Sequence, residues 1–234
     1  MHPLCPISEP FRVRGVSCTA AEIVAALTPV LSESRLARIE DVLDRRTYRL
    51  VPVTEGLYDR GNVSAVMRTA EALGCQAMHV IESLETFHRA RRVTQGAQNW
   101  MDITRWESTE PCIAHLRAKG YRIVATCFEN AQPLDELDVS EPIALFFGNE
   151  HSGISEALEH DADVRVKIPM HGFTSSFNIS VAAALSLYHL QEKRRRLHGN
   201  VSEMDEETRQ LLRASFMLRN VPGAQQIILR AMGK

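Results

Sequence analysis

The chain lacks the features that mark membrane-spanning, secreted and disulfide-stapled proteins. Its apolar runs stay well short of the roughly 18 residues that a membrane helix needs, so the sequence predicts no membrane span. The first residues carry no basic stretch followed by an apolar one, so we expect no secretory signal. The five cysteines include no C-x-x-C pair, which argues against a disulfide framework or a structural zinc site. These absences predict a cytoplasmic protein.

Lysine is scarce, and basic charge is unevenly distributed. Lys119, Lys167, Lys193 and Lys234 are the only lysines among 27 basic residues. Arginine suits bidentate phosphate contacts, although the codon bias of a GC-rich genome would give the same excess. The net charge of −2 provides no global basic field, yet residues 123–164 hold acids without any Lys or Arg, and basic clusters flank them. The clusters are Arg35, Arg38, Arg45, Arg46 and Arg49; Arg89, Arg91 and Arg92; and residues 193–196. Each cluster either contacts nucleic-acid phosphates or forms a solvated helix face.

Strand and helix patterns alternate along the chain, which predicts an α/β fold with a parallel sheet. Apolar runs predict strands at residues 50–53, 77–81, 121–127, 143–147 and 164–168. Asn62 is expected to cap one helix and Asn178 a longer one that runs to about residue 196. Helical periodicity also appears near both ends of the chain, at residues 19–46 and 205–232.

Three loops follow predicted strands, where ligands of parallel sheets bind. The first leads into a helix that carries Arg68, which is either a plain surface residue or a group pointing into a cleft. The second contains Gly148 and Gly153 at P-loop spacing, but Ile154 replaces the required lysine and no G-x-G-x-x-G occurs. The third is a polar loop that enters a helix at Asn178, where an anionic group could bind. Alternatively, the second loop is a tight turn and the third loop only caps its helix.

Taken together, the three loops resemble the motifs of the SPOUT superfamily, and within it the TrmH family of RNA ribose 2′-O-methyltransferases. The resemblance rests on N-V-S-A-V-M-R-T-A-E-A-L-G from Asn62, F-G-N-E-H-S-G-I-S from Phe147, and I-P-M-H-G-F-T-S-S-F-N-I-S-V-A-A-A from Ile168. The flanking basic segments look like those of the tRNA guanosine-18 methyltransferases. The resemblance implies helices on both sheet faces, a deep C-terminal trefoil knot and a homodimer whose active site is shared between subunits.

The resemblance also assigns roles to individual residues. It implies that S-adenosylmethionine is the cofactor, in a pocket lined by Thr126, Gly148, Ile168, Met170 and Phe177. The catalytic positions are Asn62, Arg68, Glu150, Ser176 and Asn178, and no metal is required. Arg68 is placed at the ribose 2′-hydroxyl, either as general base or as a charged group that stabilises the developing alkoxide. The second role fits the fact that arginine keeps its proton in proteins.

The expected organisation is a helical RNA-binding arm at residues 1–48, a methyltransferase domain at 49–198 and a helical extension at 199–234. The predicted phosphate contacts are Arg35, Arg38, Arg45, Arg46, Arg194 and Arg196. The function implied by the resemblance is 2′-O-methylation of guanosine 18 in the tRNA D-loop. Another tRNA position or ribosomal RNA is the alternative target, and a non-catalytic RNA-binding protein of the same fold is a further one.

Overall fold

A computed structural model describes residues 1–57, 59–82, 96–149, 152–199 and 203–234. The chain forms two compact units, Thr47–Gly199 and a second made of Met1–Arg46 with Asn200–Lys234. Across the described ranges, no helix is long and apolar enough to cross a membrane.

The larger unit is built on a parallel β-sheet. Within the part of the chain that the structure describes, seven strands pair in the order β5-β4-β3-β8-β6-β9-β7, and each pairing is parallel. The strands are β3 (Leu50–Glu55), β4 (Ala77–Ile81), β5 (Asp102–Trp106), β6 (Arg122–Thr126), β7 (Gln132–Pro133), β8 (Ile143–Phe147) and β9 (Val164–Lys167). The predicted α/β fold with a parallel sheet is thus confirmed. Strands β5 and β7 are additions to the prediction.

Helices cover both faces of this sheet. They are α3 (Arg60–Ala72), α4 (Thr109–Ala118), α5 (Glu156–Asp161) and α6 (Ile179–His198). Apolar residues of α3 and α6 share one core cluster with alternate strand residues such as Met78 and Val80. The intervening His79 projects from the opposite face, because successive strand residues alternate, and there its ring lies 3.8 Å from the Cys112 sulfur of α4.

The beginning of α3 differs from the prediction. Asp59, not Asn62, is the N-cap, and its carboxylate accepts the backbone N–H of Gly61 at 2.7 Å. The helix therefore begins two residues before Asn62, which leaves the Asn62 side chain available for another contact. The long helix α6 begins after Asn178, as predicted, and the Asn178 side chain accepts the N–H of Ser180 at 2.9 Å.

The smaller unit joins the two ends of the chain. It contains an antiparallel hairpin, β1 (Phe11–Val13) with β2 (Val16–Cys18), and helices α1 (Ala20–Leu27), α2 (Glu33–Arg45), α7 (Glu206–Asn220) and α8 (Ala224–Ala231). The Thr19–Glu22 capping box starts α1. On α2, Glu40 accepts hydrogen bonds from Arg213 Nε at 2.5 Å and from Arg209 at 3.0 Å on α7. These bonds lower the pKa of Glu40 and link helices that lie far apart in the sequence.

Candidate active site

A cavity of about 630 Å³ opens beyond the carboxyl ends of β6, β8 and β9. This is where a parallel sheet binds its ligands, and the volume is within the range of about 300–1,000 Å³ that small-molecule sites occupy. Thr126 ends β6, Gly148 follows β8 and Ile168 follows β9, so each strand contributes to the lining. The hydroxyl of Thr126 donates to the Phe146 carbonyl at 2.9 Å, which fixes the rim between β6 and β8.

Four of the five residues predicted to hold the cofactor line this cavity. They are Thr126, Gly148, Ile168 and Phe177. Met170, the fifth, is half-buried and does not belong to the lining. Ser176 and Asn178, which the sequence groups with the catalytic residues, contribute to the cavity wall instead.

Gly148 allows a tight turn at the mouth of the cavity. A Cβ atom at this position would lie 2.5 Å from the Gly153 carbonyl oxygen and 2.8 Å from the Ile154 nitrogen. The turn is closed by backbone hydrogen bonds between Asn149 and Gly153 at 2.7 and 2.9 Å. The Asn149 side chain donates to the Gly56 carbonyl beyond β3 at 2.5 Å. The close backbone approach therefore requires glycine for steric reasons.

The first and third loops meet through two amides. Asn178 Nδ2 donates to Asn62 Oδ1 at 3.3 Å, which connects the first turn of α3 to the N-cap of α6. The structure thus brings together two residues that the sequence predicts to act in one site.

Arg68 lies in a different concavity. Its exposed side chain lines a groove of about 530 Å³ between α3 and the turn that contains Trp100. The groove shares none of its described lining residues with the cavity at the ends of β6, β8 and β9. Glu150, the remaining predicted catalytic residue, is outside the described residues.

The cavity also has lining residues that sequence reasoning missed. Arg165 and Lys167 bring positive charge from β9, and Phe128, which is 57% exposed, projects from the segment after β6. Of these three, Lys167 is the last residue of β9, and that position was the available signal. Cys127 lines the cavity too, and burial raises the pKa of its thiol. The thiol therefore stays protonated at neutral pH and is a poor nucleophile.

Two of the six arginines predicted to contact RNA phosphates are buried, and those two predictions are wrong. Arg194 on α6 is 3% exposed, and Arg46 is 2% exposed, with its guanidinium carbon 6.0 Å from the centre of the Phe216 ring. Neither can reach a phosphate. Arg35, Arg38, Arg45 and Arg196 are exposed, and Arg38 and Arg45 both pair with Asp41. The cluster at Arg89, Arg91 and Arg92 is outside the described residues.

Known proteins are similar to this chain in sequence and in fold. The profile of the SpoU rRNA Methylase family matches residues 49–188. The chain is 38% identical over 168 residues to the tRNA (guanosine(18)-2′-O)-methyltransferase of Borreliella burgdorferi, covering 71% of this chain and 77% of the relative. Its fold is similar to a TrmH/SpoU tRNA modifying enzyme of A. aeolicus, with a TM-score of 0.73 and 27% identity over 81% of this chain and 98% of the other. An AdoMet-bound rRNA methyltransferase of Sinorhizobium meliloti gives a TM-score of 0.58 with 26% identity over 68% of this chain and 60% of that one.

Proposed function

The chain belongs to the SpoU rRNA methylase family, and from this membership we propose that it methylates the ribose 2′-hydroxyl of guanosine 18 in tRNA. S-adenosylmethionine is the methyl donor. The observation that carries the proposal is the joining of the first and third motif loops by Asn62 and Asn178 beside a ligand-sized cavity.

The cavity fits this cofactor. Apolar walls from Ile168 and Phe177 suit the adenine ring, and the polar edge at Thr126 and Ser176 suits hydroxyl and amino groups. Lys167 offers a cation to the carboxylate of the methionine part. When bound, the cofactor supplies an electrophilic methyl group on a positively charged sulfur.

Arg68 acts on the nucleophile. Its guanidinium binds the ribose 2′-oxygen and stabilises the negative charge that develops there, while a phosphate oxygen of the RNA accepts the proton. Arginine keeps its proton in proteins, which favours this role over that of general base. Asn62 and Asn178 hold the two loops in place, so that the oxygen approaches the methyl group in line. Glu150 positions Arg68 or the cofactor.

The active site is shared between two subunits of a homodimer. Arg68 and the cofactor cavity occupy separate concavities of one chain, which supports a site that a second chain completes. Helix α6 presents an apolar stripe for this contact, with Val181 and Leu185 each 44% exposed and Tyr188 58% exposed. These residues recur at spacings of four and three, so they lie on one helix face.

A deep trefoil knot is the proposed path of the chain around the cofactor. It comprises the segments after β8 and β9, which supply Gly148, Ile168 and Phe177 to one cavity. The similarity to the TrmH/SpoU enzyme of A. aeolicus supports this topology.

The catalytic domain spans residues 49–198, and the arm at 1–48 and the extension at 199–234 flank it. Exposed Arg35, Arg38, Arg45 and Arg196 contact RNA phosphates. A cytoplasmic location suits a tRNA-modifying enzyme whose five cysteines are free thiols.

Labelled methyl transfer to purified tRNA and rRNA tests the proposal. We expect incorporation into tRNA that lacks the modification and little into rRNA. Ribosomal RNA is the second candidate substrate, because the similar Sinorhizobium meliloti protein is an rRNA methyltransferase. Cofactor binding without incorporation into either RNA would contradict the enzyme proposal and favour a non-catalytic RNA-binding protein.

A further inference from the structure

The groove beside Arg68 has the composition of a nucleobase site. Its described lining residues include the cationic Arg68, the anionic Glu71 and the aromatic Trp100. Among the described residues, the rest of the lining consists of the small side chains of Ala65, Ala72 and Ala97 together with Thr69. An aromatic face next to a guanidinium is the usual means by which proteins bind an unstacked base and its sugar–phosphate.

The backbone of Trp100 is held firmly. Its N–H donates to the Ala97 carbonyl at 2.9 Å, and its carbonyl accepts from Gln76 Nε2 at 3.4 Å. Gln76 is fully buried, and the Gln76 carbonyl accepts the N–H of Asp102 at 2.8 Å. The Trp100 residue is half-buried, so packing already restricts its side chain and less side-chain entropy is lost when RNA binds.

We propose that Trp100 stacks on the base of the nucleotide whose ribose is methylated. This inference rests on the proposed function, because it places the target ribose at Arg68. A ribose held by Arg68 carries its base into the same groove, of which Trp100 forms one wall. Stacking on the indole thereby fixes the orientation of the nucleoside in the groove, so that the ribose 2′-oxygen points at the methyl donor.

Substitution of Trp100 is expected to weaken RNA binding selectively. Loss of a base-stacking aromatic lowers affinity by roughly 5- to 150-fold, so Trp100→Ala should raise the KM for tRNA within that range. Trp100→Phe should recover most of the loss because phenyl also stacks. The Kd for S-adenosylmethionine should stay unchanged in both variants, since Trp100 is not a lining residue of the cofactor cavity.

Fluorescence supplies a readout that does not depend on turnover. The chain has two tryptophans, Trp100 and Trp106. Trp106 stacks on His79, with ring centroids 5.9 Å apart, and donates to its Nδ1 at 2.9 Å. We expect saturating tRNA to quench wild-type emission and to leave the emission of Trp100→Phe, which reports Trp106 alone, almost unchanged. Trp106→Phe is the matched control and should keep both the quench and the KM for tRNA.

A tRNA transcript with an abasic residue at the methylated position identifies the stacked base. It retains the phosphates and ribose, so it should bind without quenching Trp100. Equal quenching by the abasic and intact transcripts would overturn the assignment, and so would a Trp100→Ala variant with the wild-type KM for tRNA. Either result would leave the proposed function intact, because wild-type methyl transfer to tRNA is measured separately.

Discussion

The amides of Asn178 and Asn62 are hydrogen-bonded across 116 residues of sequence, with 3.3 Å between Nδ2 of Asn178 and Oδ1 of Asn62. Asn178 caps α6 and borders the cofactor cavity. Asn62 lies in the first turn of α3, the helix that carries Arg68. The bond therefore connects the helix that carries Arg68 to the wall of the cavity in the same chain. Arg68 itself is not among the described lining residues of that cavity.

The Asn178–Asn62 bond can be tested without removing the helix cap. Asn178→Ser keeps an N-cap of equal quality but cannot reach Asn62, so we expect a loss of stability no larger than that of one hydrogen bond, together with a lower kcat. A neutral hydrogen bond contributes about 0.5–1.5 kcal/mol, and a double-mutant cycle with Asn62→Ala should yield a coupling energy of that size. Strictly additive effects on kcat would show that the bond has no part in catalysis.

Arg68 should be needed for turnover and not for cofactor binding. Loss of a group that stabilises a developing oxyanion costs about 10²–10³ in kcat, and we expect this range for Arg68→Ala. Calorimetry should give an unchanged Kd for S-adenosylmethionine. Arg68→Lys is the matched control, since it keeps the charge without the planar fork and should retain part of the rate. Wild-type kcat in Arg68→Ala would refute the role of this residue.

Mixed dimers test whether the site is shared. Ala182 lines the cofactor cavity, so Ala182→Trp should block cofactor binding. Arg68→Ala should remove the group that binds the ribose 2′-oxygen. Each variant alone should be inactive. When the two variants are coexpressed with different tags and the heterodimer is purified, activity should return. One of its two sites would then combine an open cavity with the Arg68 of the other chain. An inactive heterodimer that still binds tRNA and cofactor would place both functions in one chain.

Gly172 provides a matched control for the steric requirement at Gly148. Gly148→Ala would place a methyl group 2.5 Å from the Gly153 carbonyl oxygen, and overpacking of this kind costs about 1–3 kcal/mol. We expect a lower Tm and weaker cofactor binding. Gly172→Ala should leave both unchanged, because nothing lies within 4 Å of a Cβ there. Equal behaviour of the two variants in thermal unfolding and calorimetry would argue against the tight turn.

His79 should make stability depend on pH. Burial lowers its pKa to about 4, so the folded state keeps the ring neutral while the unfolded state takes up a proton below about 6.5. Stability contributed by the neutral ring is therefore full above pH 6.5 and falls as the pH drops toward 4, by at most about 1.4 kcal/mol per pH unit.

The comparison variant for this effect is His79→Gln, which can still accept the Trp106 N–H but does not titrate. Between pH 7 and pH 5, its free energy of unfolding should fall less than that of the wild type. Parallel curves for the two proteins would mean that His79 does not remain neutral in the folded state.

Much of the larger unit could be predicted because its central strands are mostly apolar and buried. Strand β8 reads Ile-Ala-Leu-Phe-Phe and is fully buried. Strand β5 escaped prediction because its middle residues, Thr104 and Arg105, are exposed and polar. The short helix α5 begins with acids in a loop-like segment and gave no periodicity to detect. The N-cap of α3 was misassigned because Asp59 and Asn62 are both good caps, and sequence alone does not choose between them.

The arginine errors have a different cause. Because Arg194 is charged, the sequence suggested that its side chain is exposed to solvent. However, Leu187, Leu190 and Arg194 follow one another at spacings of three and four, so all three lie on the buried face of α6. Arg46 is a different case, because it follows the last residue of α2 with extended backbone, and its guanidinium carbon lies 6.0 Å from the centre of the Phe216 ring. Helical periodicity was therefore the better guide for Arg194 alone. The separation of Arg68 from the cofactor cavity depends on how α3 packs, which no local pattern encodes.

The central claim is methyl transfer to one ribose, and mapping the methyl group tests it most directly. The enzyme would be incubated with labelled S-adenosylmethionine and an unmodified tRNA transcript. Mass spectrometry of ribonuclease fragments then locates the methyl group, and a nucleoside digest identifies the methylated nucleoside. We predict 2′-O-methylguanosine at position 18, the position given in the name of the Borreliella burgdorferi relative. Labelling should be lost when that nucleotide is 2′-deoxyguanosine. A methyl group on a base, or undiminished labelling of the deoxy transcript, would contradict the account.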